Sequence, residues 1–167
     1  MSKWQLAQIN VGTIKYQQDD PRMHGFMSRL DEINALAEQS PGFVWRLQGD
    51  SGNATDIDVG GDELFLVNMS VWDSVESLFT YVYQTMHRDI MIQRRQWFER
   101  PVDLYQALWW VPAGHYPTAE EGLRRIELLK ASGSTQDAFT FKQRFSAPGA
   151  DQAPDDRSPE DFCSGWE

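Results

Sequence analysis

The chain has 167 residues, 41% of them hydrophobic and 24% charged, a balance that fits one folded domain and excludes wholesale disorder. Fifteen Lys and Arg against 25 Asp and Glu leave a net charge of −10. That excludes a broad nucleic-acid or anionic-membrane surface, since both select clustered positive charge. One cysteine, Cys163, allows neither an internal disulfide nor a multi-cysteine zinc site, so no metal is expected. Met1 to Trp4 opens no secretory h-region and no apolar run is long enough for a membrane span, so the expected location is cytoplasmic.

In chain order, a first strand is expected over Trp4–Ile14, with Leu6, Gln8 and Asn10 on one face and Ala7, Ile9 and Val11 on the other. Asp20 followed by Pro21 opens a helix whose apolar positions, Phe26, Leu30, Ile33 and Leu36, repeat at helical spacing until Pro41-Gly42. Phe43–Leu47 reads as a short strand, and the glycine-rich stretch from Gly49 to Gly61 as a long loop. Leu64–Trp72 is the most apolar strand, with Leu64, Leu66 and Trp72 on one face and Phe65, Val67, Met69 and Val71 on the other. Asp73 or Ser74 caps a second helix, which the stripe Val75, Leu78, Phe79, Val82, Met86, Ile90 and Trp97 carries to Phe98 or Glu99. A strand over Leu104–Val111, a helix from Thr118 to Lys130 and a last strand over Phe139–Phe145 complete the pattern.

The order β-α-β-β-α-β plus an extra C-terminal α-β predicts an α+β, ferredoxin-like fold. Residues 1–145 form the domain, and 146–167, punctuated by Pro148, Pro154 and Pro159 among acidic residues, form a C-terminal tail. In such a fold the helices cover one face of the sheet. The strands here are apolar on both faces, so the second face predicts a homodimer packed sheet to sheet, unless the extra α-β unit covers it.

Polar residues that the core does not explain mark the candidate site. Gln8 and Asn10 in the first strand, with Asn68 and Ser70 in the third, either bond to one another or line a polar spot between sheet and helices. Tyr83, His87, Met91 or Ile90, Arg94 and Phe98 share one side of the second helix. There an imidazole and a guanidinium about two turns apart bracket an anionic or carbonyl-bearing ligand, or else form a solvated flank. His115, in the turn Pro112–Pro117, precedes a helix N-terminus, where it serves either a ligand or the turn. No phosphate-cradling glycine motif, metalloprotease motif or serine elbow is present.

The junction Trp72-Asp73-Ser74-Val75-Glu76 resembles the strand-to-helix junction of dimeric α/β-barrel proteins, the superfamily of antibiotic-biosynthesis monooxygenases and IsdG-like haem-degrading enzymes. Ser40–Leu47, His87–Phe98 and Leu108–His115 resemble a domain-of-unknown-function family within it. The resemblance covers about Trp4 to Phe145. It implies a dimeric α/β barrel with a cavity between each sheet and its helices, of about 300 Å³ or more in an enzyme of this kind. By the same resemblance, the strand asparagine and helix histidine of haem-degrading members fall on Asn10 and His87, and Tyr81 stands at their tryptophan.

The expected function is a cofactor-independent, monooxygenase-like enzyme acting on a small hydrophobic, aromatic or polyketide-like molecule. His87 moves the proton, Arg94 holds an oxyanion, Asn10 polarises, and Trp72, Tyr83, Met91, Trp110 and His115 shape the substrate site. The alternatives are a non-catalytic ligand-binding or structural dimer and, as a lesser one, a haem protein.

Overall fold

The computed structural model describes residues 3–49, 61–84, 93–101 and 103–149. Four strands, β1 (Trp4–Thr13), β2 (Phe43–Arg46), β3 (Phe65–Trp72) and β4 (Gln106–Pro112), form one antiparallel sheet in the order β2-β3-β1-β4. This is the sheet of the expected ferredoxin-like α+β fold. Among the described residues the helices are α1 (His24–Met27), α2 (Leu30–Gln39), α3 (Val75–Gln84) and α4 (Ala119–Ser132). No described helix is long and apolar enough to cross a membrane.

Strand parity sorts the core. Ala7, Ile9, Val67, Met69, Val71, Ala107 and Trp109 point to one face and pack with Ile126 and Leu129 of α4. Leu6, Trp72 and Leu108 point to the other and pack with Ala37 of α2 and Leu78, Tyr81 and Val82 of α3. A third cluster, Ile14, Met23, Phe26, Leu66 and Trp97, closes the far end of that second face. Each large aliphatic side chain buried this way contributes about 1.5–3 kcal/mol.

The face expected to be bare is therefore covered from within the chain. A Cβ on Gly122 of α4 would stand 2.5 Å from Ile9 Cδ1 and 2.9 Å from Met69 Sδ, so glycine lets this helix lie directly on the centre of the sheet. The cover is the extra C-terminal helix, which removes the reason for which a sheet-to-sheet dimer was expected.

Helix boundaries follow the caps where caps exist. Asp20 accepts the Arg22 amide at 2.9 Å and opens the 3-10 turn Pro21–Met23. Thr118 Oγ1 accepts the Glu121 amide at 3.2 Å and opens α4. The first predicted helix is broken into α1 and α2, because its two halves bury into different clusters, Met23 and Phe26 beside Trp97, and Ala37 beside Trp72.

The second predicted helix does not run to Phe98 as expected. Arg94–Gln96 is a 3-10 turn, and Phe98 is extended and bridged to Ile14. The Glu99 amide donates to Thr13 O at 2.8 Å, and the Lys15 amide to Trp97 O at 2.7 Å. Adjacent Trp97 and Phe98 both bury against the end of β1, which an uninterrupted helix cannot arrange.

The last predicted strand shrinks to one bridge, Leu108 with Phe139. Beyond it the Gln143 amide donates to Thr140 Oγ1 at 3.3 Å, and Arg144 Nε to Phe141 O at 3.1 Å, turn bonds that compete with a ladder. Of the predicted 146–167 tail, residues 150–167 lie outside the described residues.

Candidate functional site

The face of the sheet that meets α2 and α3 is apolar at both ends and polar in the middle. Register creates the polar patch, since Gln8 is paired with Ser70 and Asn10 with Asn68 across β1 and β3. Gln8 Nε2 donates to Ser70 Oγ at 2.9 Å and to Asn68 Oδ1 at 3.0 Å. Asn10 Nδ2 donates to Gln8 Oε1 at a longer 3.4 Å, and Trp72 Nε1 to Ser70 Oγ at 2.8 Å. Both sequence readings of these residues hold together: they bond to one another, and they line a cleft.

The cleft has a volume of about 60 Å³ and lies between this patch, α2, α3 and the Arg94 turn. A cavity needs about 10–15 Å³ to admit one water, so this one takes a few waters or a carboxylate-sized group. It falls well short of the 300 Å³ expected for a whole aromatic substrate. Among the described residues that volume is also too small for a haem.

Arg94 reaches the cleft from the 3-10 turn and is 8% exposed. Its guanidinium lies over the rings of Tyr105 and Phe98, 5.0 and 5.1 Å from their centroids, an arrangement that favours the cation electrostatically. A Cβ on Gly12 would stand 3.3 Å from Arg94 Nη2, so the absent side chain lets the charge approach the sheet. At the opposite border Arg46, the register partner of Ser70, bonds through Nε to Glu38 Oε1 at 2.8 Å. No Asp or Glu is among the described residues lining the cleft.

Tyr81 of α3 also lines the cleft, stacked on Trp72 with centroids 5.1 Å apart. Its hydroxyl donates to Ile33 O at 3.3 Å. Burial pushes its phenol well above the ordinary tyrosine range, against a smaller opposing pull from Arg46, so it stays a neutral donor.

Of the residues assigned from sequence, Asn10, Arg94 and Trp72 meet at this cleft. Tyr83 does not. Its ring packs on Phe79 with centroids 4.2 Å apart, in the apolar cluster near Phe141. Trp110 instead donates its indole N–H to Phe145 O at 2.8 Å and anchors the C-terminal segment. His115 is surface-bound, its Nε2 2.8 Å from Glu121 Oε2, and it serves the turn before α4. His87 and Met91 lie outside the described residues.

Sequence reasoning missed Arg46, Tyr81, Tyr105 and Gln106 as cleft residues. Two of them carried a signal, a charge in the otherwise apolar β2 and an amide on the β4 face shared with Leu108 and Trp110.

The chain matches, over residues 5–156, a family described as a domain of unknown function, DUF3291. No curated protein matches it. Among solved structures it is similar to SnoaB, a cofactor-independent oxygenase from Streptomyces nogalater, at 14% identity over 67% of this chain and 95% of that one, with a TM-score of 0.45. It is also similar to NE2512, a protein of unknown function from Nitrosomonas europaea, at 11% identity over 70% and 98% of the two chains, with a TM-score of 0.44. A third likeness is to a candidate antibiotic biosynthesis monooxygenase from Chloroflexus aurantiacus, at 16% identity over 68% and 97%, with a TM-score of 0.39. None of these three carries an argument about what this chain does.

Proposed function

The chain belongs to the DUF3291 family, and we propose that its cleft binds the oxygen-bearing end of a small hydrophobic molecule. Arg94 holds that oxygen and Asn10 hydrogen-bonds beside it. One observation carries this reading: a buried guanidinium and an amide-hydroxyl patch share one cleft. Such a lining favours negative charge on an oxygen, whether a carboxylate or an enolate. The volume admits only that end, so the hydrophobic remainder of the ligand lies outside the cleft.

The activity proposed is cofactor-independent and monooxygenase-like. A CH₂ beside a carbonyl loses a proton to give an enolate held at Arg94, and the enolate carbon combines with O₂. The CH₂ ends as C=O, and the second oxygen atom leaves as water with the two hydrogens of the substrate. The test uses 2-tetralone as an enolisable ketone with a benzylic CH₂ and phenylacetate as its carboxylate analogue. Phenylacetate binding by calorimetry and oxygen uptake with 2-tetralone are both expected to fall at least tenfold in Arg94→Met.

Binding of phenylacetate without oxygen uptake would establish the second reading, a non-catalytic ligand-binding protein, which the small volume favours. Absence of both would overturn the site. A second copy of the chain remains the proposed macromolecular partner. The half-exposed Val44, Trp45 and Leu47 on the α4 side offer it a surface, and sedimentation equilibrium measures the association.

A further inference from the structure

Resting on that reading of the cleft, we propose that Trp72 sets its hydrogen-bond polarity, so that the ligand atom seated at Ser70 must be an acceptor. The site then selects carboxylates or enolates over amides of the same shape. Trp72 is thus a positioning residue that acts through Ser70.

A hydroxyl oxygen has two lone pairs and one hydrogen, whereas an indole nitrogen only donates. Ser70 Oγ accepts from Trp72 Nε1 at 2.8 Å and from Gln8 Nε2 at 2.9 Å. Both of its lone pairs are occupied, so its own hydrogen is what remains to offer the cleft that it lines.

The Gln8 amide is oriented in the same sense. Its second N–H donates to Asn68 Oδ1 at 3.0 Å, and its carbonyl accepts from Asn10 at 3.4 Å. Reversing Gln8 alone would set its carbonyl oxygen against that of Asn68. Trp72 is 0% exposed and Ser70 7%, so both bonds are shielded from bulk water. A ligand N–H placed at Ser70 would face a hydrogen and lose its partner, an expensive mismatch in a buried site.

The experiment compares phenylacetate with phenylacetamide, two ligands of one shape. Affinities are measured by calorimetry for the wild type, Trp72→Phe, Ser70→Ala and the double variant. The wild type is expected to prefer phenylacetate by about 100-fold, part of it due to Arg94, which all the variants retain. Trp72→Phe frees a lone pair on Ser70, and the preference is expected to fall about tenfold through a gain in phenylacetamide affinity. In the Ser70→Ala background Trp72→Phe is expected to change nothing further.

An unchanged preference in Trp72→Phe, or equal weakening of both ligands, would overturn the role given to Trp72 while leaving the ligand site standing. Failure of both ligands to bind the wild type would overturn the underlying reading itself. Should Trp72→Phe not fold, Gln8→Met removes the other donor to Ser70 and is read by the same preference.

Discussion

Phe98 lies against Gly12: a Cβ built on the glycine would stand 2.7 Å from Phe98 Cδ1. The contact joins the end of β1 to the turn that carries Arg94. The Phe98 backbone is bridged to Ile14 and its ring packs edge-on against Phe26 with centroids 5.2 Å apart, so turning the ring away costs that contact. Gly12→Ala is therefore expected to destabilise the fold by about 1–3 kcal/mol, the usual cost of overpacking. A fall in the urea midpoint at unchanged slope measures it, and an unchanged midpoint would show that the contact yields freely.

Gly122 sets two effects against each other. Glycine inside a helix costs about 1 kcal/mol relative to alanine, so Gly122→Ala stabilises α4 taken alone. Against this stands the approach of 2.5 Å to Ile9 Cδ1 in a fully buried core, worth about 1–3 kcal/mol in the other direction. Net destabilisation is expected. Ile9→Val, which deletes that methyl, should restore stability in the double variant beyond the sum of the two single changes, as a double-mutant cycle in denaturant reads directly.

Acid stability should carry the mark of the first cap. The Arg22 side chain and amide, both bonded to Asp20, hold its carboxyl down at about 2 against an ordinary 3.8. A carboxyl depressed in the folded state adds stability above its unfolded value and loses it as pH falls through the folded one. The wild type should exceed Asp20→Asn in stability at pH 5, and the gap should close between about pH 4 and pH 2. Parallel acid-unfolding curves for the two proteins would contradict this.

At the alkaline end the sign reverses. Burial raises the Tyr81 phenol, so the neutral form is preferred in the folded state, and that preference contributes stability which declines once pH exceeds the ordinary tyrosine value of about 10. Tyr81→Phe should lower stability near neutrality, through loss of the bond to Ile33 O, and flatten the alkaline fall. Absorbance at the phenolate band should show one tyrosine fewer ionising after unfolding. A Tyr81 that titrates with exposed tyrosines in the folded protein would refute the assignment.

The cleft was half legible in the sequence. Gln8, Asn10, Asn68 and Ser70 stand out because amides and hydroxyls interrupt apolar strands, and period-two parity puts them on one face. Arg94 does line the cleft, but not by the route that its spacing implied. Helical spacing placed it on one stripe with Tyr83, yet it reaches the cleft from a 3-10 turn while Tyr83 packs on Phe79. Arg46 and Gln106 each carried a signal in its own strand, but what joins them to the cleft is a lateral neighbour, Ser70 for one and Asn10 for the other, which periodicity within one strand does not give.

By itself the sequence determined what is local: alternation on β1 and β3, which puts the polar residues of each strand on one of its faces, and the caps at Asp20 and Thr118. These depend on bonds within a few residues of each other. The tertiary structure decided which segment returns to which face. It laid α4 over Ile9 and Met69 through Gly122, and ended the second helical run so that Trp97 and Phe98 could bury against β1. Such outcomes turn on competition among distant apolar surfaces for the same sheet, an energy that belongs to the assembled core and not to any one stretch of chain.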